Sequence, residues 1–402
     1  MLNPLPRAVV SPLCAGVFLC AAIVGQSEPG AAPATPQQSN VSYKPGAGLT
    51  IDNGDEFKMV FVTYAQFQYL DAFGSDLPPD QAVSDFLVRR VRPGFSGYIF
   101  NRDLLYALRV ELTATNSIVK DAWTQWNFAH DADKTIGVRA GQSKTFHGLE
   151  PTETDAGLFF VDRTVVTNTF SDVRSRGVWL QGNHGNMLRW TAGAQNGDVA
   201  SKNPARIIEV GEIVDNPDSD MHYVASFNFD PFGDYVGNGA SYESFRAGDL
   251  DCAKELRGTI GAGLTRGRGT RLQAPSDIDV QSTSLNLNTS WKLLGLYLQA
   301  EAYFRVDDSS VGNRNSSGSY AEAGYVMAKS GNSDVQLGFG LRIADVDLGQ
   351  GPDTRDYTAV FDVFIRGHAL KAQLDYTRRE FEKDVATSLD SNLVRLQFQI
   401  IF

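Results

Sequence analysis

The sequence predicts an all-β fold, a sixteen-stranded antiparallel transmembrane β-barrel with short periplasmic turns and long outer loops. Three observations carry that expectation. Apolar side chains recur at every second position from residue 57 to the end, the period of a strand. Connections are tight after even-numbered strands and long after odd-numbered ones, the asymmetry of a barrel in a membrane. No window reaches the roughly 18 uninterrupted apolar residues that a spanning helix needs. Among the 402 residues, 42% are hydrophobic, too many for disorder, and the net charge of −11 argues against a nucleic-acid partner.

The chain opens on one positive charge, Arg7, an apolar run from Leu13 to Val24 and a small or polar exit at Gly25, Gln26 and Ser27. This reads as a secretory signal over residues 1–26. A lipid anchor on Cys20 is disfavoured by the bulky Phe18 and Leu19 just before it. Loss of that segment leaves Cys252 as the remaining cysteine, so no internal disulfide is expected. Residues 27–56, rich in Ala, Pro, Gly, Gln and Ser, read as a flexible periplasmic leader, and the barrel is expected over 57–402.

Sixteen alternating segments follow, near 57–70, 86–100, 103–115, 121–129, 134–143, 175–183, 187–197, 221–230, 256–266, 281–290, 296–306, 319–328, 333–344, 356–366, 369–380 and 391–402. In the last, Val394, Leu396, Phe398, Ile400 and Phe402 share one face and Arg395, Gln397 and Gln399 the other. The terminal strand ending in Phe402 is the expected contact with the barrel-assembly machinery, and outer-membrane lipid is expected on the apolar faces. Trp126, Trp179, Trp190 and Trp291 lie near strand ends, where an interfacial girdle belongs. Long connections are expected at 71–85, 144–174, 198–220, 307–318 and 345–355. The segment 231–255 is anomalous, being long on the short-turn rim, and is expected to hold a short helix around Cys252–Leu256 or to hide a mispaired strand. A barrel of this strand number leaves a water-filled lumen.

The register separates inward from outward charges. Inward positions include twelve cations, Arg90, Arg92, Arg109, Arg139, Arg189, Arg257, Arg305, Arg342, Arg366, Lys371, Arg379 and Arg395, against five anions, Glu111, Asp121, Glu301, Asp362 and Asp375. That excess of positive charge on the wall favours passage of small anions, because a narrow low-dielectric channel focuses the field of its wall. The connection 144–174 is expected to fold into the lumen, with Lys144 and Arg163 facing the solute and Phe159 and Phe160 anchoring it to the wall. The acids Asp345, Asp347, Asp353 and Asp356 read as solvated loop charge.

Several stretches resemble a known family. They are Phe86–Leu112 (FLVRRVRPGFSGYIFNRDLLYALRVEL), Val119–Phe128 (VKDAWTQWNF), Val138–Glu150 (VRAGQSKTFHGLE), Phe160-Val161-Asp162-Arg163 and Arg174–Trp179 (RSRGVW). Together they are similar to the phosphate-selective porins of the O and P type. The resemblance implies a sixteen-stranded barrel in the outer membrane, often a homotrimer, with the loop after the fifth strand folded inward and basic residues guiding anions. It places Arg90, Arg92, Arg139, Lys144 and Arg163 in matching segments. The chain departs from the family pattern at Ser143 and at Thr145-Phe146-His147, and has few lysines, so an anion-conducting pore is implied rather than a tight phosphate site.

No cofactor is expected. None of the five histidines sits in a nucleophile motif, and no Walker loop or His-Glu-x-x-His is present, so the chain does not read as an enzyme. The alternatives kept open are a general or carbohydrate-type porin and a structural or adhesive barrel.

Overall fold

The computed structural model describes residues 40–402 apart from 75–82, 114–116, 132, 172, 186, 197–220, 234, 237–244, 272–277, 311, 332, 350–352 and 383–387. A hairpin comes first, β1 (Asn40–Lys44) and β2 (Gly48–Asp52). The barrel follows as β3 (Phe57–Phe73), β4 (Val83–Ile99), β5 (Leu104–Leu112), β6 (Ser117–His130), β7 (Lys134–Lys144), β8 (Arg174–His184), β9 (Leu188–Asn196) and β10 (His222–Phe229). It continues with β11 (Arg257–Arg271), β12 (Ile278–Leu293), β13 (Leu296–Ser309), β14 (Gly312–Val326), β15 (Gln336–Asp347), β16 (Asp353–Phe364), β17 (Leu370–Glu382) and β18 (Ser388–Ile401). Each strand from β3 onward pairs antiparallel with the next, and β18 pairs with β3 through Gln397↔Gln68 and Ile400↔Ala65, closing sixteen strands into a barrel with no free edge.

The hairpin corrects the expectation of a leader extending to residue 56. Strand β3 is longer than its closing partner: β18 stops beside Tyr64, and Thr63 and Phe402 exchange backbone hydrogen bonds. The remaining edge of β3 is taken by β2, with Leu49 opposite Phe61 and Asp52 opposite Lys58. The signal reading over residues 1–26 lies outside the described residues.

Strands of 12–16 residues over β12–β18 run past the roughly 9–11 that cross a bilayer, so some expected loops are strand instead. The connection expected at 307–318 is the clearest correction, since β13 and β14 continue to Ser309 and Gly312 and pair there. On the opposite rim the described residues of the 231–255 segment form neither alternative foreseen. Its described residues are turns, Cys252 has a positive φ of 48°, and β10 pairs directly with β11.

Burial is inverted relative to a soluble sheet. On β13 the outward Leu298, Phe304 and Val306 are exposed while the inward Gln299, Glu301 and Arg305 are buried. The apolar face turns outward and the polar face inward, where it meets inserted backbone. Trp126, Trp190 and Trp291 lie on the outward face near the short-turn rim. Trp179 does not join them. It points inward, is fully buried and donates Nε1–H to Gln195 Oε1 at 3.1 Å.

Candidate functional site

The segment between β7 and β8 folds into the lumen, and the wall is built to receive it. Its apolar residues Leu149, Phe159, Phe160, Val166 and Phe170 are all buried. Phe159 lies on a floor made by three inward glycines: a Cβ would stand 2.6 Å from its ring at Gly324, 2.7 Å at Gly340 and 3.3 Å at Gly338. Such glycines are where an inserted ring approaches strand backbone closely. Phe170 of the short helix α1 (Val165–Phe170) uses Gly318 in the same way, 2.5 Å from a Cβ there.

Wall side chains then satisfy the inserted backbone, which would otherwise carry orphaned polar groups. Lys371 Nζ donates to Leu158 O at 2.7 Å, Gln373 Nε2 to Phe159 O at 2.9 Å, and Gln399 Nε2 to Ala156 O at 2.8 Å. The Glu301 carboxylate accepts from Leu149 N at 3.0 Å and Glu150 N at 2.6 Å. Lys144 holds the loop rather than facing the lumen water, donating to Thr152 O and Glu153 O at 2.7 Å each.

The loop also brings acids to the wall arginines. Asp155 accepts from Arg92 and Arg163 and lies 3.7 Å from Arg90 Nε. Arg92 is further paired with Glu111. Asp162 stands 2.8 Å from Arg90 Nη2 and 3.4 Å from Arg395 Nη1, and its carbonyl accepts from Arg342 at 3.0 Å. Burial alone would raise both carboxyls. The surrounding guanidiniums instead hold Asp155 well below the usual range and lower Asp162 too. Glu153 has no such partner, and burial together with Glu150 and Glu322 pushes its carboxyl well above the usual range.

The remaining expected residues are placed as follows. Arg109 pairs with Asp121 at 3.0 Å, Arg189 with Asp230 at 2.5 Å, Arg305 with Asp307 at 3.4 Å and Arg395 with Asp375 at 2.7 Å. Arg342 lies 3.7 Å from Glu322 and stacks on Phe160, 4.4 Å from its ring centre. Arg139 bonds Gln125 and Ser143 and lies 3.9 Å over the ring of Trp123. Arg366 is corrected. The strand ends at Phe364, a turn at Gly367 with φ 54° follows, and Arg366 is exposed in that turn on the rim.

A positive excess counted from strand faces alone does not survive the loop. Among the described residues that are buried, ten are Lys or Arg and thirteen are Asp or Glu. Several ion pairs are nonetheless ordered by depth, with the basic end nearer water. Arg109 has a side chain 36% exposed against 6% for its partner Asp121, and Arg257 25% against 0% for Asp249. Arg89, Arg174, Arg189, Arg314 and Arg379 likewise stand nearer water than the acids they pair with. Asp356, expected among solvated loop acids, is the inward partner of Arg379 at 2.7 Å.

The sequence reading missed a second inserted segment. The connection between β10 and β11 enters from the short-turn rim, and its Tyr235, Phe245 and Ala247 pack with Phe159, Phe160 and Phe364 in one buried cluster. Ala247 N donates to Gly157 O at 2.9 Å, joining the two segments. The signal available was three apolar side chains in a connection too long for its rim.

Solved structures with this fold include an outer-membrane channel and an anion-selective porin. The chain is 9% identical to an anion-selective porin from Comamonas acidovorans, at TM-score 0.55 with 86% of this chain and 99% of that one covered. It is 11% identical to the outer membrane channel DcaP of Acinetobacter baumannii, at TM-score 0.55 with 86% and 97% covered. The trimer form of OmpT, an outer membrane protein of Vibrio cholerae, matches at 12% identity and TM-score 0.52, with 86% and 99% covered. No curated protein matches the sequence significantly. The family model for phosphate-selective porin O and P matches residues 61–334, and with the closed barrel and its inserted loop this places the chain in that family, as an outer-membrane porin.

Proposed function

We propose that the pore passes small anions in preference to cations, phosphate among them, through a constriction whose water-facing charges are arginines. The observation that carries this reading is the depth order of ion pairs such as Arg109–Asp121, Arg174–Asp121 and Arg257–Asp249, in which the basic end stands nearer water than the acid, although Asp162 is more exposed than Arg90 and Arg395. A passing ion interacts most with the nearest charge, and the low-dielectric wall strengthens that field. The family and the anion-selective neighbour point the same way.

A guanidinium fork suits an oxyanion because it offers paired donors in one plane. Reversal potentials in a KCl gradient across a planar bilayer test the reading. An anion-selective wild-type channel is expected, and a cation-selective one overturns it. A general diffusion pore without phosphate preference is the second reading, favoured by the carboxylates on Arg90, Arg92, Arg163 and Arg395.

The trimer form of the Vibrio cholerae neighbour supports a homotrimer, for which light scattering on detergent-extracted protein should give three times the chain mass. The outward apolar faces fit outer-membrane lipid as the surrounding partner. The terminal strand ending in Phe402 is the proposed contact with the assembly machinery.

A further inference from the structure

A chain of hydrogen bonds runs along the inner face of β13 and β14, where the loop is seated, and ends on a carboxyl at each side. Glu322 Oε1 lies 2.9 Å from Tyr297 Oη, and Tyr297 Oη lies 2.8 Å from Gln299 Oε1. Gln299 Nε2 then lies 2.8 Å from Tyr320 Oη, and Tyr320 Oη 2.8 Å from Glu301 Oε1. All five side chains are buried. Each bond needs one hydrogen. The two tyrosines supply one apiece and the nitrogen end of the Gln299 amide a third, which leaves the fourth bond without one. The missing hydrogen is a carboxyl proton at one end of the chain, and turning the amide over changes the end without changing the count.

Glu301 is the wrong end for it. Its oxygens accept from Leu149 N, Glu150 N, Asn286 Nδ2 and Tyr303 Oη as well as from Tyr320, so it serves the loop as a carboxylate. Glu322 is less engaged. Its Oε2 stands 3.7 Å from Arg342 Nη1, beyond a hydrogen bond. That same nitrogen donates instead to Asp162 O of the loop at 3.0 Å, and the guanidinium covers the Phe160 ring. A neutral Glu322 leaves Arg342 to the loop.

We propose that the carboxyl proton of Glu322 is a latch for the loop between β7 and β8, and that its loss frees the loop from the wall and widens the pore. A hydroxide ion or buffer base in the lumen takes the proton, the electron pair stays on the carboxylate, and water or protonated buffer leaves. Tyr297 then has one hydrogen for two acceptors. The new charge faces Glu150 and Glu153 of the loop and Glu301 of β13, with Arg342 of β15 as the cation opposite. Around these groups, Tyr235 lies beside Tyr297, His147 rests on the Tyr303 ring with centres 5.4 Å apart, and Lys144 and Arg163 reach the loop through its carbonyls. An ionised Glu322 draws Arg342 into a direct pair, and Asp162 O loses its donor. The loop is thereby pushed from the Glu301 side and released on the Arg342 side.

Single-channel conductance of the full-length porin, recorded in planar bilayers in symmetric KCl from about pH 5 to about pH 10, tests the latch. The wild type should pass with one midpoint from a lower to a higher conductance as the proton is removed. Glu322→Gln puts an amide N–H where the carboxyl O–H stands and cannot lose it, so conductance should stay at the lower level throughout. Tyr297→Phe keeps the ring that packs on Phe159 but deprives the protonated carboxyl of its acceptor, and the midpoint should fall by about one pH unit, the worth of one hydrogen bond. A wild-type conductance that is flat over this range overturns the proposal. So does a rise that persists in Glu322→Gln, which would assign it to Glu153 or another group. If Glu322→Gln does not assemble, Tyr297→Phe decides, and an unmoved midpoint there overturns the latch. The readout is conductance and not ion preference, so the outcome is independent of the anion-passing reading.

Discussion

Asp155 is where three guanidiniums converge, and its neutralisation separates structural from conductive roles in the constriction. In Asp155→Asn the buried Arg90, Arg92 and Arg163 lose a shared counter-charge. Removing one partner of a buried pair costs about 3–5 kcal/mol. The loop should therefore loosen in a barrel that still assembles, which limited proteolysis within residues 145–173 would register. The pH dependence has a definite sign. Because the folded carboxyl is held low, its contribution is complete above the ordinary carboxylate value of about 3.9 and is lost only as pH falls through the lower folded value. Glu153 behaves oppositely. Its raised carboxyl makes the folded state less stable as pH climbs from about 4.3 through the folded value, and its Oε1 has no hydrogen-bond partner. Glu153→Gln should accordingly raise the unfolding free energy measured in urea at pH 7.5 by about 1 kcal/mol or more, with the gain vanishing near pH 4. A gain of equal size at both values would mean that ionisation of Glu153 is not the cause.

The inserted loop depends on strand glycines more than on its own sequence. Gly340→Val would put a Cβ 2.7 Å from the Phe159 ring and 3.0 Å from Val360 Cγ1. Overpacking of this kind costs about 1–3 kcal/mol, and the ring can yield where the barrel backbone cannot. The loop should leave the wall, single-channel conductance should rise, and heat-modifiability should stay the same. Unchanged conductance in an assembled Gly340→Val barrel would show that Phe159 is not the loop's seat. This dependence explains what was legible in the sequence and what was not. All sixteen barrel strands could be read because lipid on one side and polar groups on the other impose a period of two on every strand. Phe159 and Phe160 announced an inward loop because two adjacent exposed Phe side chains are costly in water. Gly324, Gly338 and Gly340 gave no such signal, since a glycine that admits a ring and one that merely turns look alike in one sequence. The hairpin β1–β2 was hidden for another reason: each arm is five residues long, so the alternation of Val41 with Tyr43 and of Leu49 with Ile51 covers too few positions to stand out.

Charge at the scale of the whole molecule is layered, and the layers differ in their exposure to salt. The chain carries −11 overall, and the buried lumen is also richer in acids than in bases. On the proposed reading, anion preference would come from arginines such as Arg109, Arg174 and Arg379, which stand nearer water than the acids they pair with. A register count alone misjudged this, because it treated Arg90 and Arg92 as free lining when loop carboxylates neutralise them. Charges facing water are screened by ions far more effectively than charges held within the wall. The screening length falls from about 10 Å at 0.1 M salt to about 3 Å at 1 M. The forward arginines should therefore lose reach first while the pairs behind them stay intact. Measured as reversal potentials at a fixed concentration ratio, anion preference should decline steadily from 0.1 M to 1 M KCl. Replacing Arg109, Arg174 and Arg379 together by Gln should bring the low-salt channel close to the value the wild type shows at high salt. A preference that does not change with salt would instead place selectivity in the buried pairs or in steric size, and the depth order of the ion pairs would then not explain it.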